Sequence, residues 1–245
     1  MTRLELIAVE GLPEVKPGDD LGKLISSRSA LKTGDVLVVA QKVVSKSEGR
    51  LVSLDTVTAS EEAARIASNL IARPDPRMVQ VVLDESVRVL RSHRVLITET
   101  RQGFVCANSG VDHSNVPGQN VLTLLPKDPD GSADRLRMRL REIAGVEVGV
   151  IVSDTFGRPW RLGIVNVALG VAGLPAVVDL RGTDDDAGKQ LHATVLAVAD
   201  EIAAAAGLVM GKTARTPAVI VRGLELQGGG RGRDLVRPAA EDLFR

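Results

Sequence analysis

The run from Val146 to Val152, apolar apart from Gly149 and one charge at Glu147, restricts the fold of this chain more than any other stretch. A short apolar run of this kind reads as a strand buried in a core. Ser153, Asp154 and Thr155 follow it, then Phe156 and Gly157, then Arg158 and Arg161. The expectation is a strand that ends in three short oxygen-bearing side chains, where a rigid scaffold hands polar groups to a site. An aspartate there can hold a hard cation, and arginines can hold phosphate or carboxylate. The same residues also suit an Asx-type turn with arginine on the rim.

Val36 to Ala40 is a second apolar run bounded by turns, and Leu4 to Val9 and Ala218 to Val221 read as further strands. Helices are expected at Leu21 to Arg28 after the capping Asp20, from Ser60 to about Ala72, from Pro76 to Val89, and over Ala133 to Ala144. The alanine-rich stretch Leu191 to Ala206 is the strongest helix signal. Val95–Ile97 and Gly103–Cys106 read as a hairpin pair. The glycines at 163, 170 and 173 suggest tight packing or a subunit contact. Gly228 to Arg233 reads as a flexible linker, and Arg237 to Arg245 as a short helix.

Composition excludes several functions. Lys+Arg and Asp+Glu both number 31, so no basic field draws in nucleic acid. Aromatic residues make up 2% and tyrosine is absent, so stacking platforms for bases are not expected. Cys106 is the single cysteine, which fits a reducing cytoplasm. The first residues carry an early acid and no long apolar run, and Ile202 to Met210 is far too short to span a bilayer, so neither a secretory signal nor a membrane span is expected.

Three polar stretches can carry chemistry. Gln41 to Arg50 alternates Lys42, Ser45, Lys46 and Ser47 with apolar residues. Lys46 can reach a phosphate and Ser45 or Gln41 a ribose or base, while the plainer reading is an amphipathic edge strand. The spacing is not that of a P-loop. Ala107 to Gly118 is dense in oxygen ligands and amides; Asp112 can bind Mg²⁺ or Mn²⁺ and Asn115 a nucleotide, or the stretch is a polar turn. Gly211 to Pro217 is a basic, hydroxyl-bearing loop that can wrap phosphates. The arginines of 135–141 and the acids Asp184, Asp185 and Asp186 read as solvated surface.

In order along the chain, Gly11-Leu12-Pro13, Lys42 to Arg50, Gly110 to Val116, Leu125 to Ser132, Ser153 to Arg158, Val198 to Ala203 and Val221 to Leu224 resemble the coenzyme F420-0:L-glutamate ligase (γ-glutamyl ligase) family. The resemblance spans nearly the whole chain. It implies an α+β fold of mixed sheets and packed helices in an intertwined homodimer. It also implies a GTP-dependent ligase that phosphorylates the F420-0 carboxylate and lets the amine of L-glutamate displace phosphate, leaving GDP. Mg²⁺ or Mn²⁺ would bridge the phosphates, assisted by a monovalent cation such as K⁺. By position, Asp112, Asp154 and Thr155 would ligate metal. Leu12, Pro13, Glu14, Val15, Gln41, Lys46 and Asn115 would contact GTP, and Gly211, Lys212 and Thr213 would close over it. Asp112, Asp154 and Lys46 would carry catalysis, and charge alone puts Arg158 and Arg161 near anionic substrate. A single ligase domain over 1–245, of one or two subdomains, is expected, without the flavin-binding nitroreductase-like domain that some members carry. The stretch 181–189 departs from the family pattern by lacking an aromatic residue. That keeps open a GTP- or ATP-dependent ligase acting on another carboxylate; a nucleotide-binding module without catalysis is the remaining alternative, against which the Asp112, Asp154 and Thr155 set argues.

Overall fold

A computed structural model describes residues 3–114, 118, 120–211 and 214–242. Its elements run β1 (Glu5–Ala8), α1 (Leu21–Ser26), β2 (Val36–Ala40), α2 (Gln41–Ser47), β3 (Leu51–Ser53), α3 (Glu61–Asn69), α4 (Pro76–Asp84), β4 (Ser86–His93), β5 (Val95–Thr100) and β6 (Val105–Ala107). They continue with β7 (Val121–Thr123), α5 (Pro129–Ala144), β8 (Gly149–Arg158), β9 (Arg161–Ala172), β10 (Val178–Asp179), β11 (Val195–Leu196), α6 (Val198–Met210) and β12 (Ala218–Arg222). The fold is α+β with mixed sheets, as expected.

The central sheet has the order β1-β12-β2-β8-β9, with β2 and β8 parallel and the other neighbours antiparallel. Where its inner strands lie side by side, over 36–40, 149–152 and 218–221, they carry no polar side chain, because both faces are covered. Side-chain alternation sorts them into two cores. Leu37, Val39, Val150, Val152 and Ile220 pack with α1 and α5 on one face. Val36, Val38, Ile151, Val219 and Val221 pack under α6 on the other. Residues 51–124 build a third core, where Ile66, Val82, Leu96 and Leu122 join α3, α4, β5 and β7. Below the central sheet, the buried Asp35 carboxylate accepts two hydrogen bonds from the Arg222 guanidinium at 2.7 Å each, tying β12 to the turn before β2.

Several expectations are corrected. Gln41 to Ser47 is a helix, not an edge strand: β2 turns directly into it, and Gln41, Val44 and Ser45 are buried at helical spacing. Ser153–Thr155 is not a strand end. Pairing with β2 stops at Ser153, but β8 runs on to Arg158 because β9 folds back along it. The helix from Pro76 stops at Asp84, and Ser86–His93 is captured as a strand by β5. The Ser60-capped helix ends at Asn69, where Leu70 bridges to Arg94. Only Val198–Met210 of the alanine-rich stretch is helical; Val195–Leu196 pairs with β10. The 228–233 stretch is no free linker. Gly232 donates to Asp130 Oδ1 at 2.6 Å, and a Cβ on Gly230 or Gly232 would collide with the backbone of Ala176 or Leu169. Among the described residues of the tail there is only a 3-10 turn, Ala239–Glu241.

Other readings hold. Asp20 and Ser60 cap their helices, and β5 pairs with β6. The α5 arginines 135, 137, 139 and 141 are paired with acids on the surface. Asp185 Oδ1 accepts from the backbone of Ala187 and Lys189 as a turn, in an exposed loop. Gly170 meets the Pro129 carbonyl so closely that no side chain fits, which is the tight packing expected of it.

Candidate active site

The parallel pair β2–β8 and the strand β9 open onto a cavity of about 880 Å³, a size suited to a nucleotide-scale ligand. Five separated stretches wall it, among them Ile164 and Asn166 of β9. Leu12, Pro13, Glu14 and Val15 enter from the loop after β1. Gln41, Lys42 and Lys46 come from α2, and Ser153, Asp154 and Thr155 from β8. Gly211, Arg215 and Thr216 come from the segment between α6 and β12. Sequence separation hides this arrangement. The topology creates it, because α2 and the outer half of β8 both leave the sheet at the same end, where Ala40 pairs with Ser153.

The α2 wall is cationic. The Lys46 side chain is 6% exposed and its ammonium donates to Glu14 Oε1, a carboxylate more than half exposed. One helical turn earlier, the Lys42 ammonium lies 2.6 Å from Asp112 Oδ2 and donates to the Ser114 hydroxyl and carbonyl. Burial pushes the Asp112 carboxyl up, yet the hydrogen bonds from Lys42 and Ser114 and the Lys42 charge together hold it below the usual carboxylate range. The Asp112 backbone exchanges two hydrogen bonds with Thr123, at 3.0 and 2.8 Å, so its position is fixed by β7. Gln41 is 1% exposed; its Oε1 accepts from Ser45 Oγ at 2.9 Å, while its Nε2 has no partner among the described residues. A buried donor left without a partner in a cavity wall is costly to keep and is satisfied readily by a ligand.

The β8–β9 wall is rich in acceptors. Register shifts by one residue between Val152 and Ser153, so that β9 carries an extra residue, Leu169. Such bulges re-aim the side chains that follow. Asp154 and Thr155 both reach the cavity. Behind Asp154, burial and then the Asp154 charge push the Cys106 thiol up to about 12. Such a thiol stays protonated and unreactive near neutral pH.

Of the expected site residues, the cavity brings together Leu12 to Val15, Gln41, Lys46, Asp154, Thr155 and Gly211. Asp112 stands behind Lys42 and does not line it. Arg158 and Arg161 lie beyond it at the β8–β9 turn, where Arg158 donates to the Leu162 carbonyl. Asn115, Lys212 and Thr213 lie outside the described residues. Sequence reasoning missed Lys42 and Asn166. Reading 41–47 as a helix would have placed Lys42 and Lys46 on one face. Asn166 shows in the sequence as a lone polar residue within Ile164–Ala168.

Among the described residues no three His, Cys, Asp or Glu side chains gather as a metal-holding group. Asp154 and Thr155 offer hard oxygen donors side by side. That set fits a small divalent cation that takes most of its ligands from phosphate and water, as Mg²⁺ does. No helix among the described residues is long and apolar enough to cross a membrane.

The cavity thus carries an acid-and-hydroxyl wall from β8 and a lysine wall from α2. Residues 11–223 match the family model described as F420-0:Gamma-glutamyl ligase, and the chain belongs to that family. It is 46% identical over 255 aligned positions, covering all of both chains, to the coenzyme F420:L-glutamate ligase of Methanopyrus kandleri. It is 46% identical to the protein of the same name from Methanothermobacter thermautotrophicus, with 99% of each covered. To that of Archaeoglobus fulgidus it is 47% identical, covering 99% of this chain and 97% of the relative.

Proposed function

We propose that this chain joins L-glutamate to the carboxylate of F420-0, and to the product already bearing one glutamate, at the expense of GTP. The observation that carries the reading is the convergence of Lys42, Lys46, Asp154 and Thr155, from two separate elements, on one cavity. The family membership and the relatives' names supply the substrates. The lysines of α2 neutralise phosphate charge, and the loop carrying Leu12 to Val15 closes one side over the nucleotide. Gln41 Nε2 donates to base or ribose, Gly211 borders the nucleotide, and Asn115, Lys212 and Thr213 are taken from the family resemblance as further GTP contacts. Asp154 and Thr155 would hold Mg²⁺ or Mn²⁺, with Asp112 joining them once Lys42 lets it go; the cation supplies charge neutralisation and orientation of the phosphates, with K⁺ as an auxiliary counter-ion. The carboxylate of F420-0 attacks the γ-phosphorus of GTP, releasing GDP and giving an acyl phosphate. The amine of L-glutamate then attacks the acyl carbon, phosphate leaves with the bonding pair of the C–O bond, and the proton lost from nitrogen passes to the departing phosphate. Phosphoryl transfer of this kind needs positioned charge more than a protein nucleophile, and the buried Cys106 provides none.

The protein works as a homodimer in the cytoplasm in this reading. The outer half of the β8–β9 hairpin extends past β2, and its open edge exposes Trp160, Leu162 and Ile164, which supports a subunit contact there.

The test is purified protein with GTP, Mn²⁺, L-glutamate and F420-0, read by mass spectrometry. The expected product is F420-0 extended by glutamate, and Asp154→Asn is expected to abolish it while leaving the thermal transition in place. Conversion of a different carboxylic acid, but not of F420-0, selects a ligase of other specificity. Nucleotide binding with no product from any acid selects a non-catalytic module.

A further inference from the structure

Asn166 sits opposite Thr155 in the β8–β9 ladder and belongs to no role assigned above. It is half-buried, lines the cavity, and interrupts an otherwise apolar stretch of β9. Ile164, two residues earlier on the same face, lines the cavity too, while Ala168, two residues later, is buried against α6.

The amide of Asn166 is held in one orientation. Its Nδ2 donates to Ser153 Oγ at 3.2 Å and contacts Met210 Sδ at 3.4 Å, so its N–H groups are directed to the protein. The carbonyl oxygen Oδ1 is turned to the Gly207 side, where α6 passes so close that a Cβ on Gly207 would lie 2.9 Å from it. Gly207, Met210 and Ser153 all line the same cavity. Glycine within a helix costs about 1 kcal/mol relative to alanine. Here it leaves room for the Asn166 carbonyl. The arrangement holds the amide of a cavity-lining residue in one orientation, with its N–H groups on Ser153 and Met210 and its carbonyl on the Gly207 side.

The two walls differ in what they can receive. The α2 wall offers ammonium groups and suits phosphate. The β8–β9 wall carries oxygen groups, Asn166 with Thr155 opposite it and Ser153 bonded to it on one face of the ladder, and Asp154 on the alternate face. A fixed carbonyl repels phosphate or carboxylate oxygens and pairs with N–H donors. The reaction has one N–H donor to place next to the acyl phosphate, the amine nucleophile. We propose that Asn166 binds the amine of the incoming L-glutamate and orients it, and that Gly207 is the position that keeps this acceptor in place. The proposal rests on the ligase reading of the site.

Steady-state kinetics with GTP and F420-0 saturating and L-glutamate varied, then with GTP varied, decide it. Asn166→Ala is expected to raise KM for L-glutamate about tenfold to a hundredfold, the loss of one hydrogen bond to a charged group, with KM for GTP within about threefold. Gly207→Ala, which favours the helix and so folds, is expected to displace the amide and raise KM for L-glutamate in the same sense. If both variants leave KM for L-glutamate unchanged, or raise KM for GTP by the same factor, Asn166 only braces Ser153 and Met210 and the proposal falls. Wild-type protein that turns over no F420-0 at all overturns the ligase reading itself, and is told apart because it fails before any variant is compared.

Discussion

Gln41→Met tests whether the unpartnered amide in the cavity wall is there for a ligand. Gln41 is 1% exposed, and its Nε2 has no partner among the described residues. An unsatisfied buried donor costs about 1–3 kcal/mol. Methionine has nearly the same volume and length, so the swap opens no cavity. It also removes the acceptor for Ser45 Oγ, a bond worth about 0.5–1.5 kcal/mol net. Much of that is recovered when the Ser45 hydroxyl turns to the backbone carbonyl of residue 41, four positions earlier in α2. The balance is a gain of about 1 kcal/mol, which at this chain length is a rise in Tm of about 2–4 °C. Nucleotide affinity should move the other way, falling about tenfold for the loss of one donor worth about 1.4 kcal/mol. Calorimetric unfolding without nucleotide and titration calorimetry with GTP measure the two quantities on one sample. A Tm lower by several degrees with unchanged GTP affinity would refute the reasoning, since the amide would then be doing structural work inside the protein.

Lys46→Ala should weaken GTP binding about tenfold or more, while Glu14→Gln, which removes the acid competing for that ammonium, should strengthen it; unchanged affinity in both variants would dismiss Lys46 as a phosphate ligand. Burial raises the carboxyl pKa of Asp200 on α6 against the opposing hydrogen bond from the Ala168 N–H, which donates to Asp200 Oδ1 at 2.8 Å. Because the folded pKa is the higher one, ionisation costs stability above it, so Asp200→Asn should raise Tm at pH 7 and lose that advantage as pH falls through the raised folded pKa towards the ordinary carboxylate value of 3.8; a pH-independent difference would count against burial as the cause. With its thiol at about 12, Cys106 should resist iodoacetamide at pH 8 until the protein is unfolded, and its pKa should fall in Asp154→Asn; rapid native alkylation would count against burial of the thiol. Asp35→Ala removes the carboxylate that ties the Arg222 guanidinium to the base of the sheet and should lower the denaturant midpoint; an unchanged midpoint would show the pair to be solvated.

The residues of the chain determined much on their own. The apolar runs at Val36–Ala40 and Val146–Val152 could be read as buried strands because a strand covered on both faces needs apolar side chains at every position. Asp20 and Ser60 announced helix starts because orphan backbone N–H groups need a nearby side-chain acceptor. The ordered motifs identified the family, and the residues expected to bind nucleotide, Leu12 to Val15, Gln41 and Lys46, do share one cavity. What the sequence left undecided depended on neighbours far along the chain. Ser86–His93 became a strand because β5 captured it, and β8 continued past Thr155 because β9 returned beside it. The glycines at 230 and 232 read as slack chain until the backbones of Ala176 and Leu169 were found against them. Lys42 and Asn166 were invisible as site residues for the same reason. Local pattern gives the period of an element and its caps, but whether two walls 100 residues apart face each other is set by the parallel pairing of β2 with β8 and by α6 crossing β9 at Gly207, which no local preference encodes.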